Sequence, residues 1–288
     1  IDPEEKLLQR WRTLTTNIGM SHLRSPSVHH LDLHPMALQH FAGKKRKNRK
    51  RLFSTPFERP ALTLFNDHCD MVINKFNLAK LHIRARVMTC EIKGNSVMAT
   101  LSDGQSFHAR NIVLAIGASE EPEWPQWAPR DTARVHHVFE PGFEGWPKST
   151  EQVIVLGGGV TAGQVALRLM KGGHAVHLVS RHELRRHQFD SAPGWLGPKF
   201  MNAFNDEKDA NRRRAIIFEA RNRGSLPPHV YRRIRRAVHK GELAWHKQDV
   251  KEARCLEDLV QLRCQSGEVI EGDRLLLATG FAHHRPGG

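Results

Sequence analysis

The spacing of apolar positions changes several times along the chain, and each change marks an element. Residues 4–14 have helical spacing. Residues 20–26 (Met-Ser-His-Leu-Arg-Ser-Pro) read as a structured loop and residues 28–33 as an extended segment. Within 60–77, the positions Leu62, Phe65, Cys69, Val72, Ile73 and Phe76 recur at helical steps and predict a helix with one face in the core. Residues 82–92 and 97–101 are strand-like and Ser102-Asp103-Gly104-Gln105 is a turn. The run 111–117 (Asn-Ile-Val-Leu-Ala-Ile-Gly) predicts a buried strand that stops at glycine. Residues 121–129, rich in proline and tryptophan, predict a connection between units.

The strongest pattern lies at 153–181. Val-Ile-Val-Leu at 153–156 is a β-branched-rich run that can be buried on both faces, and Gly157, Gly158 and Gly159 end it abruptly. Val165, Leu167, Leu169 and Met170 then sit among helix formers until Gly172-Gly173, and 175–179 is strand-like again. This predicts one βαβ unit. Gly157, Gly159 and Ala162 fill a G-x-G-x-x-G/A frame, in which the first glycine permits a tight turn, the second a close backbone approach to a pyrophosphate, and the small third residue close helix–strand packing. A helix start offers unpaired N–H groups and a partial positive charge, so residues Gly157 to Ala162, with Gly158, Val160 and Thr161 between, are the candidate dinucleotide site.

The end of the second strand selects the dinucleotide. An NAD site usually places a carboxylate there for the ribose 2′-hydroxyl; this chain has Ser180-Arg181, with Arg185 and Arg186 following. A guanidinium holds a 2′-phosphate that a carboxylate would repel, so the cofactor expected here is NADP(H). His182 and His187 stand five positions apart, which does not put two metal ligands on one helix face, and no metal site is expected.

Residues 97–117 align without a gap on 260–280: Gly104 falls on Gly267, Leu114 on Leu277, Ala115 on Ala278 and Gly117 on Gly280. The chain therefore contains parts of two related nucleotide-binding domains.

Composition adds limits. At 288 residues the chain can hold one large or two modest domains, and its net charge of +14 favours anionic ligands. The four cysteines, Cys69, Cys90, Cys255 and Cys264, include no C-x-x-C, which argues against a local zinc ribbon or redox dithiol. No apolar run approaches the roughly 18 residues of a membrane span and no secretory signal opens the chain, so a cytoplasmic, membrane-free protein is expected. Residues 44–51 carry seven positive charges in eight positions and predict an exposed loop. With a single tyrosine in the chain and no aromatic interleaving, that loop makes a poor case for nucleic acid.

The ordered set of 112–117 with Pro122 and Pro125, then Arg134-Val135-His136-His137-Val138-Phe139, the Gly157–Ala162 loop and 275–281 (Leu-Leu-Leu-Ala-Thr-Gly-Phe) resembles the two-dinucleotide flavoprotein oxidoreductases. Among them it is most similar to the NADPH-dependent flavin monooxygenases of the lysine/ornithine N-hydroxylase branch, which Leu23-Arg24-Ser25-Pro26 also resembles. The resemblance implies an α/β, Rossmann-like FAD/NAD(P)-binding fold. Its flavin domain would span 1–125, continued by 275–288, with a connection at 126–150 and an NADP(H) domain at 151–274. It implies FAD and NADP(H) as cofactors, O2 and a small-molecule amine or similar nucleophile as reactants, and Gly117, Thr279 and Gly280 as cofactor-proximal residues. Against the family pattern the chain is expected to be cut at both ends: before Leu81 the only glycines are Gly19 and Gly43, neither after an apolar strand, and the sequence stops just past the second Ala-Thr-Gly.

Two other readings stay open: an NADPH-dependent flavin reductase that oxygenates nothing, and a non-catalytic nucleotide- or nucleic-acid-binding protein. A disulfide reductase is disfavoured by the missing cysteine pair. No catalytic residue is singled out. His136 and His137 stand where the family often has a histidine, but a loop histidine is commonly structural. Residues 195–198 and the arginines of 212–214 and 232–236 read as decoration of the NADPH domain, able to steer an anionic cofactor or to form a solvated face. Oligomeric state is not encoded in any pattern found.

Overall fold

A computed structural model describes residues 1–43, 52–117, 121–130 and 132–282. The basic run expected to be a loop at 44–51 lies outside them. The chain divides into two units, Ile1–Glu121 with Phe281–Gly288, and Pro122–Gly280.

In the first unit, α1 (Gln9–Asn17) begins later than the expected 4–14, because Glu4 N–H bonds Asp2 Oδ1, Lys6 N–H bonds Gln9 Oε1, and Leu8 has a left-handed backbone. Residues 28–33 form bends instead of an extended segment. Their backbone is captured locally: Asp32 N–H donates to His30 Nδ1, and Leu33 N–H to Asp32 Oδ1. After α2 (Ala37–Gly43) and the short pair β1 (Phe53–Ser54) and β2 (Arg59–Pro60), α3 (Leu62–Lys75) fulfils the predicted helix. Its buried face is Leu64, His68, Cys69 and Val72, while Phe65 packs against Trp11 with the rings tilted and their centroids 5.6 Å apart, and Phe76 is exposed beyond the helix end.

An antiparallel meander follows, β3 (Val87–Lys93), β4 (Ser96–Leu101) and β5 (Ser106–Ala109). The expected buried strand at 111–117 does not form. That stretch is unpaired and open to solvent, with Val113 86%, Leu114 66% and Ile116 62% exposed. A strand buried on both faces needs a parallel neighbour on each side, and the described sheets of this unit contain none.

The second unit supplies such neighbours. Its five-stranded parallel sheet runs β11-β8-β7-β15-β6 from β6 (Val135–His137), β7 (Gln152–Leu156), β8 (Ala175–Ser180), β11 (Ala244–Lys247) and β15 (Arg274–Leu277). The divisions expected at 150 and 275 fall inside this unit, since β6 and β15 are strands of its sheet. Helix α4 (Val160–Lys171) crosses from β7 to β8 as the glycine pattern predicts and packs on those strands. Between β8 and β11 the chain forms β9 (Arg185–Arg186), α5 (Pro198–Asp206), α6 (Ala210–Glu219), β10 (Ser225–Leu226), which pairs with β9, and α7 (Pro228–His239), which packs on α4. Opposite α4, an antiparallel meander of β12 (Val250–Cys255), β13 (Val260–Cys264) and β14 (Val269–Gly272) closes a core with Ile154, Leu156, Val179, Leu275 and Leu277. Strand alternation thus sends neighbouring residues of β7 to opposite layers.

The internal repeat is structural. The meander β3-β4-β5 corresponds to β12-β13-β14 in aligned register, and the turn glycines Gly104 and Gly267 have φ of 84° and 88°. The same turn bonds recur: Leu101 N–H to Gln105 O at 2.8 Å, and Cys264 N–H to Glu268 O at 2.9 Å. Each first strand carries its irregularity at the aligned place, between Val87 and Thr89 and between Val250 and Glu252. The copies part company after the meander, where Leu275–Leu277 is flanked by β6 and β7 and its counterpart is flanked by nothing described.

Candidate functional site

The carboxyl ends of β7, β8 and β15 bring together residues far apart in sequence, at the edge where open α/β sheets bind ligands. Gly157 leaves β7 with φ of 147°; its N–H reaches Val179 O of β8 at 2.9 Å, and a Cβ on it would lie 2.5 Å from Ala278 O beyond β15. No side chain larger than hydrogen fits there without moving backbone. Gly159 caps α4, and a Cβ on it would come within 3.6 Å of Gly224 Cα. The helix starts with no side-chain cap and no acidic residue in its first turn, and its first ladder bond is Gly163 N–H to Gly159 O. The amides of Val160, Thr161 and Ala162 are thereby left for an anion. Ala162 is buried and small, as the glycine frame requires.

At the end of β8 the two expected residues do different work. Ser180 is buried: its hydroxyl donates to His182 O at 2.9 Å and accepts from Trp245 Nε1 at 3.0 Å, so its side chain is a strut of the turn. Arg181, directly after β8, and Arg185, in β9, are exposed, with no carboxylate bonded to either among the described residues. Arg186 lies over the Tyr231 ring, and the nearby Glu183 is taken by Lys247 at 3.1 Å. The donor set therefore suits an anion: helix amides plus two guanidinium groups, with no acid where an NAD site would place one.

Thr279 and Gly280 follow β15 on the same edge. Thr279 hydroxyl donates to Glu123 O and accepts from His137 Nε2–H at 3.0 Å, and Gly280 O accepts from Glu123 N–H. His137 is fully buried. Its Nδ1 accepts from Phe139 N–H at 3.1 Å, which fixes the proton on Nε2, and burial pushes its pKa down to about 4. His136 has the opposite environment: Nδ1 meets Glu140 Oε1 and Nε2 meets Ala133 O, both at 3.0 Å, and the carboxylate raises its pKa. A carboxylate and a carbonyl can only accept, so this ring favours two protons. Both histidines hold structure. Gly117 lies in the other unit, with a left-handed backbone and an exposed position.

Two residues of this edge, Gly163 and Gly224, escaped the sequence reading, and a third, His182, was weighed there only as a metal ligand. A Cβ on Gly163 would lie 2.7 Å from both Leu226 Cδ2 and Val230 Cγ1, so this glycine, one past the motif, sets the approach of α4 to β10 and α7. Gly224 and His182 form the loop's opposite wall: Cβ atoms on Gly158 and Gly224 would meet the His182 ring at 2.7 and 2.8 Å. The run of three glycines was the available signal, since a dinucleotide turn alone explains two of them.

All four cysteines are free; Cys69 and Cys264 are buried and their thiols pushed up in pKa by burial, Cys69 to about 11. Among the described residues no cluster of three or more potential metal ligands occurs, and no helix is long and apolar enough to cross a membrane.

Residues 47–222 match the sequence profile of the pyridine nucleotide-disulphide oxidoreductases. The chain belongs to this family. Its fold is similar to the ornithine N-hydroxylase KtzI from Kutzneria sp. 744, solved with reduced FAD, NADP+ and L-ornithine, at a TM-score of 0.72 and 16% identity over 99% of this chain and 74% of that one. The reduced ornithine hydroxylase PvdA from Pseudomonas aeruginosa gives 0.70 and 19%, covering 99% and 75%. The bacillithiol disulfide reductase Bdr from Staphylococcus aureus gives 0.57 and 17%, covering 93% and 66%. At these identities the likeness is one of fold. No curated protein matches by sequence. The expected resemblance to two-dinucleotide oxidoreductases thus stands on the family, and the fold is shared with ornithine hydroxylases and with a disulfide reductase alike.

Proposed function

We propose that this protein is an NADPH- and FAD-dependent oxidoreductase of the monooxygenase type, acting with O2 on a small amine or similar nucleophile. The observation that carries the NADPH half is the edge of the parallel sheet, where a capless helix start follows β7 and the segment after the neighbouring β8 carries two exposed arginines and no free acid. In this reading Gly157, Gly158 and Gly159 let the cofactor backbone approach, and the amides of Val160, Thr161 and Ala162 take its pyrophosphate. Arg181 and Arg185 take the 2′-phosphate, and Ser180 supports them from within. When bound, NADPH supplies a hydride and FAD accepts it and passes the electrons to O2. The flavin and monooxygenase part of the reading is supported by the family and by the overlap with KtzI and PvdA, whose ligands are FAD, NADP+ and ornithine in the first case. None of the described residues of the first unit forms a glycine loop between a strand and a helix, so no residue there is given a role toward the flavin pyrophosphate. Gly117, Thr279 and Gly280 remain cofactor-proximal in this proposal, and the second unit is the NADP(H) domain. A cytoplasmic location belongs to the same proposal.

The test is a visible absorption spectrum of the purified chain after incubation with FAD and removal of free flavin, before and after NADPH. The expected result is a retained flavin band that bleaches with NADPH, returns in air, and turns over faster with an amine substrate. Bleaching and return without any amine dependence would replace the monooxygenase with a flavin reductase. No flavin retention together with no NADPH binding would end the proposal.

A further inference from the structure

From 232 to 240, every exposed position of α7 and its cap is basic: Arg232, Arg233, Arg235, Arg236, His239 and Lys240. The buried positions of the helix, Val230, Ile234 and Ala237, are apolar, and the helix packs on α4. At 3.6 residues per turn the basic positions cover an arc of about 160°, and Arg232, Arg236 and Lys240 follow one another at steps of about 6 Å along the axis. The sequence holds no acid between Glu219 and Glu242. Lys240 pairs with Glu242 at 3.4 Å, and Arg235 lies over the Trp245 ring at 5.8 Å. Arg232, Arg233 and Arg236 have no ion-pair or ring partner among the described residues.

A solvated helix face ordinarily mixes signs, because opposite charges at i,i+4 attract and like ones repel. Here Arg232 with Arg236 and Arg236 with Lys240 are like pairs, so the ridge weakens a helix that its apolar face holds in place. Folding alone gives no reason for it. Steering a dinucleotide gives none for its far half. α7 leads from β10, beside Gly224, to β11, which runs parallel to β8. The end of α7 therefore lies at the amino edge of the sheet, opposite the carboxyl edge where the glycine loop stands, and Arg236, His239 and Lys240 are on that half.

A line of uninterrupted positive charge on one convex helix matches a line of uninterrupted negative charge. Double-stranded nucleic acid presents one charge about every 1.7 Å of its axis. Most of the ridge is arginine, whose planar fork takes two oxygens of one phosphate. A bilayer is a plane, and a helix lying on it inserts apolar side chains; α7 exposes none between 232 and 240. Backbone contacts to a duplex need no stacking aromatics, so the single tyrosine of the chain is no obstacle. We propose that the outer face of α7 docks the phosphate backbone of a double-stranded nucleic acid, by charge and without reading bases. The site is separate from the dinucleotide edge and stands or falls independently of the oxidoreductase reading.

The experiment is fluorescence anisotropy of a short labelled DNA duplex of mixed sequence, titrated with the purified chain at several salt concentrations, with and without saturating NADP+. Arg232→Gln, Arg233→Gln and Arg236→Gln are combined in one variant. Lys251→Gln, Arg254→Gln and Arg263→Gln, exposed on the meander of the opposite layer, are combined in a control of the same net charge. Both are first checked for a melting temperature no lower than the wild type's, which relief of like-charge repulsion predicts for the α7 variant. The expected result is that the wild type binds whether or not NADP+ is present. The α7 variant should lose about 3 from the slope of log affinity against log salt, one for each phosphate contact removed, and at least about tenfold in affinity at about 0.1 M salt. The control should stay close to the wild type. Equal losses in the two variants would reduce the effect to net charge and overturn the assignment to α7. Displacement of the duplex by NADP+ would put it on the cofactor edge and overturn a separate site. If the wild type bound no duplex at low salt but sedimented through α7 with vesicles of phosphatidylserine and phosphatidylcholine, an anionic bilayer would replace the nucleic acid. Binding to neither would end the proposal.

Discussion

His137 of β6 donates from Nε2 to Thr279 Oγ1 at 3.0 Å, and Thr279 passes the chain on by donating to Glu123 O. A strand end, the Ala-Thr-Gly turn after β15 and the segment leading into the unit are thereby tied through one buried ring. The tie works only with a neutral ring, because Nδ1 is committed to accepting from Phe139 N–H. Charging this ring in place would bury an unpaired cation and break that bond.

His137 should therefore make the fold acid-sensitive. Its pKa is about 4 in the folded protein and near 6.5 when unfolded, so its contribution is complete above pH 6.5 and is lost as pH falls toward 4. The full effect is at most about 3 kcal/mol. Chemical denaturation at pH 7.5 and at pH 5 should show a drop in stability at the lower pH that His137→Gln largely abolishes. An unchanged pH slope in that variant would show that the buried ring is not the source.

The neighbouring His136 predicts the opposite sign. Glu140 raises its pKa, so its contribution is present below about pH 6.5 and is lost as pH rises through the folded value. The pair is partly solvated and worth at most about 1 kcal/mol. Glu140→Gln should remove that alkaline loss, and a proton-detected titration of the two ring signals should find His136 titrating well above His137. Coincident titration would contradict both environments.

Gly157 and Gly163 should separate binding from packing. Gly157→Ala places a Cβ against Ala278 O in a left-handed backbone, and it should weaken dinucleotide binding as well as stability. Gly163→Ala presses on Leu226 and Val230, side chains that can shift, and should cost about 1–3 kcal/mol of stability. Its effect on dinucleotide affinity should be small at temperatures where it stays folded. Comparable losses of binding in the two variants would mean that α4 docking, not the loop, sets the site.

The legible parts of the chain were those where one local pattern answers to one physical demand. The βαβ unit was written in 153–181 because a buried parallel strand, a tight turn and an amphipathic helix each leave a distinct signature. The repeat was visible because both meanders need a glycine with positive φ at the same step, Gly104 and Gly267. Residues 111–117 carry the same apolar signature as 274–280, yet only the second forms a strand, since composition encodes the wish to be buried and pairing depends on what lies alongside. His182 was read only as a metal ligand to be dismissed. Its place depends on Gly158 and Gly224, brought together across sixty-odd positions by packing that no local window contains.

In the proposed NADP(H) site, Arg181 and Arg185 are the residues expected to carry the choice between the two nicotinamide dinucleotides. Both are exposed, Arg181 directly after β8, the place where a carboxylate would otherwise meet a ribose 2′-hydroxyl, and Arg185 in β9 just beyond. Removing one charge-assisted contact to the 2′-phosphate should cost about 1.5–3 kcal/mol, or roughly 10- to 100-fold in affinity. Arg181→Ala and Arg185→Ala should each weaken NADP+ by an amount in this range while leaving NAD+ nearly unchanged, as measured by calorimetric titration at fixed ionic strength. The double variant should lose the preference altogether. Raising the salt should weaken NADP+ binding more steeply in the wild type than in the double variant, because the screened charges are those of the arginines and the extra phosphate. If both dinucleotides weakened equally in every variant, the arginines would be steering anions in general, and the preference for NADP(H) would have to come from elsewhere on the edge.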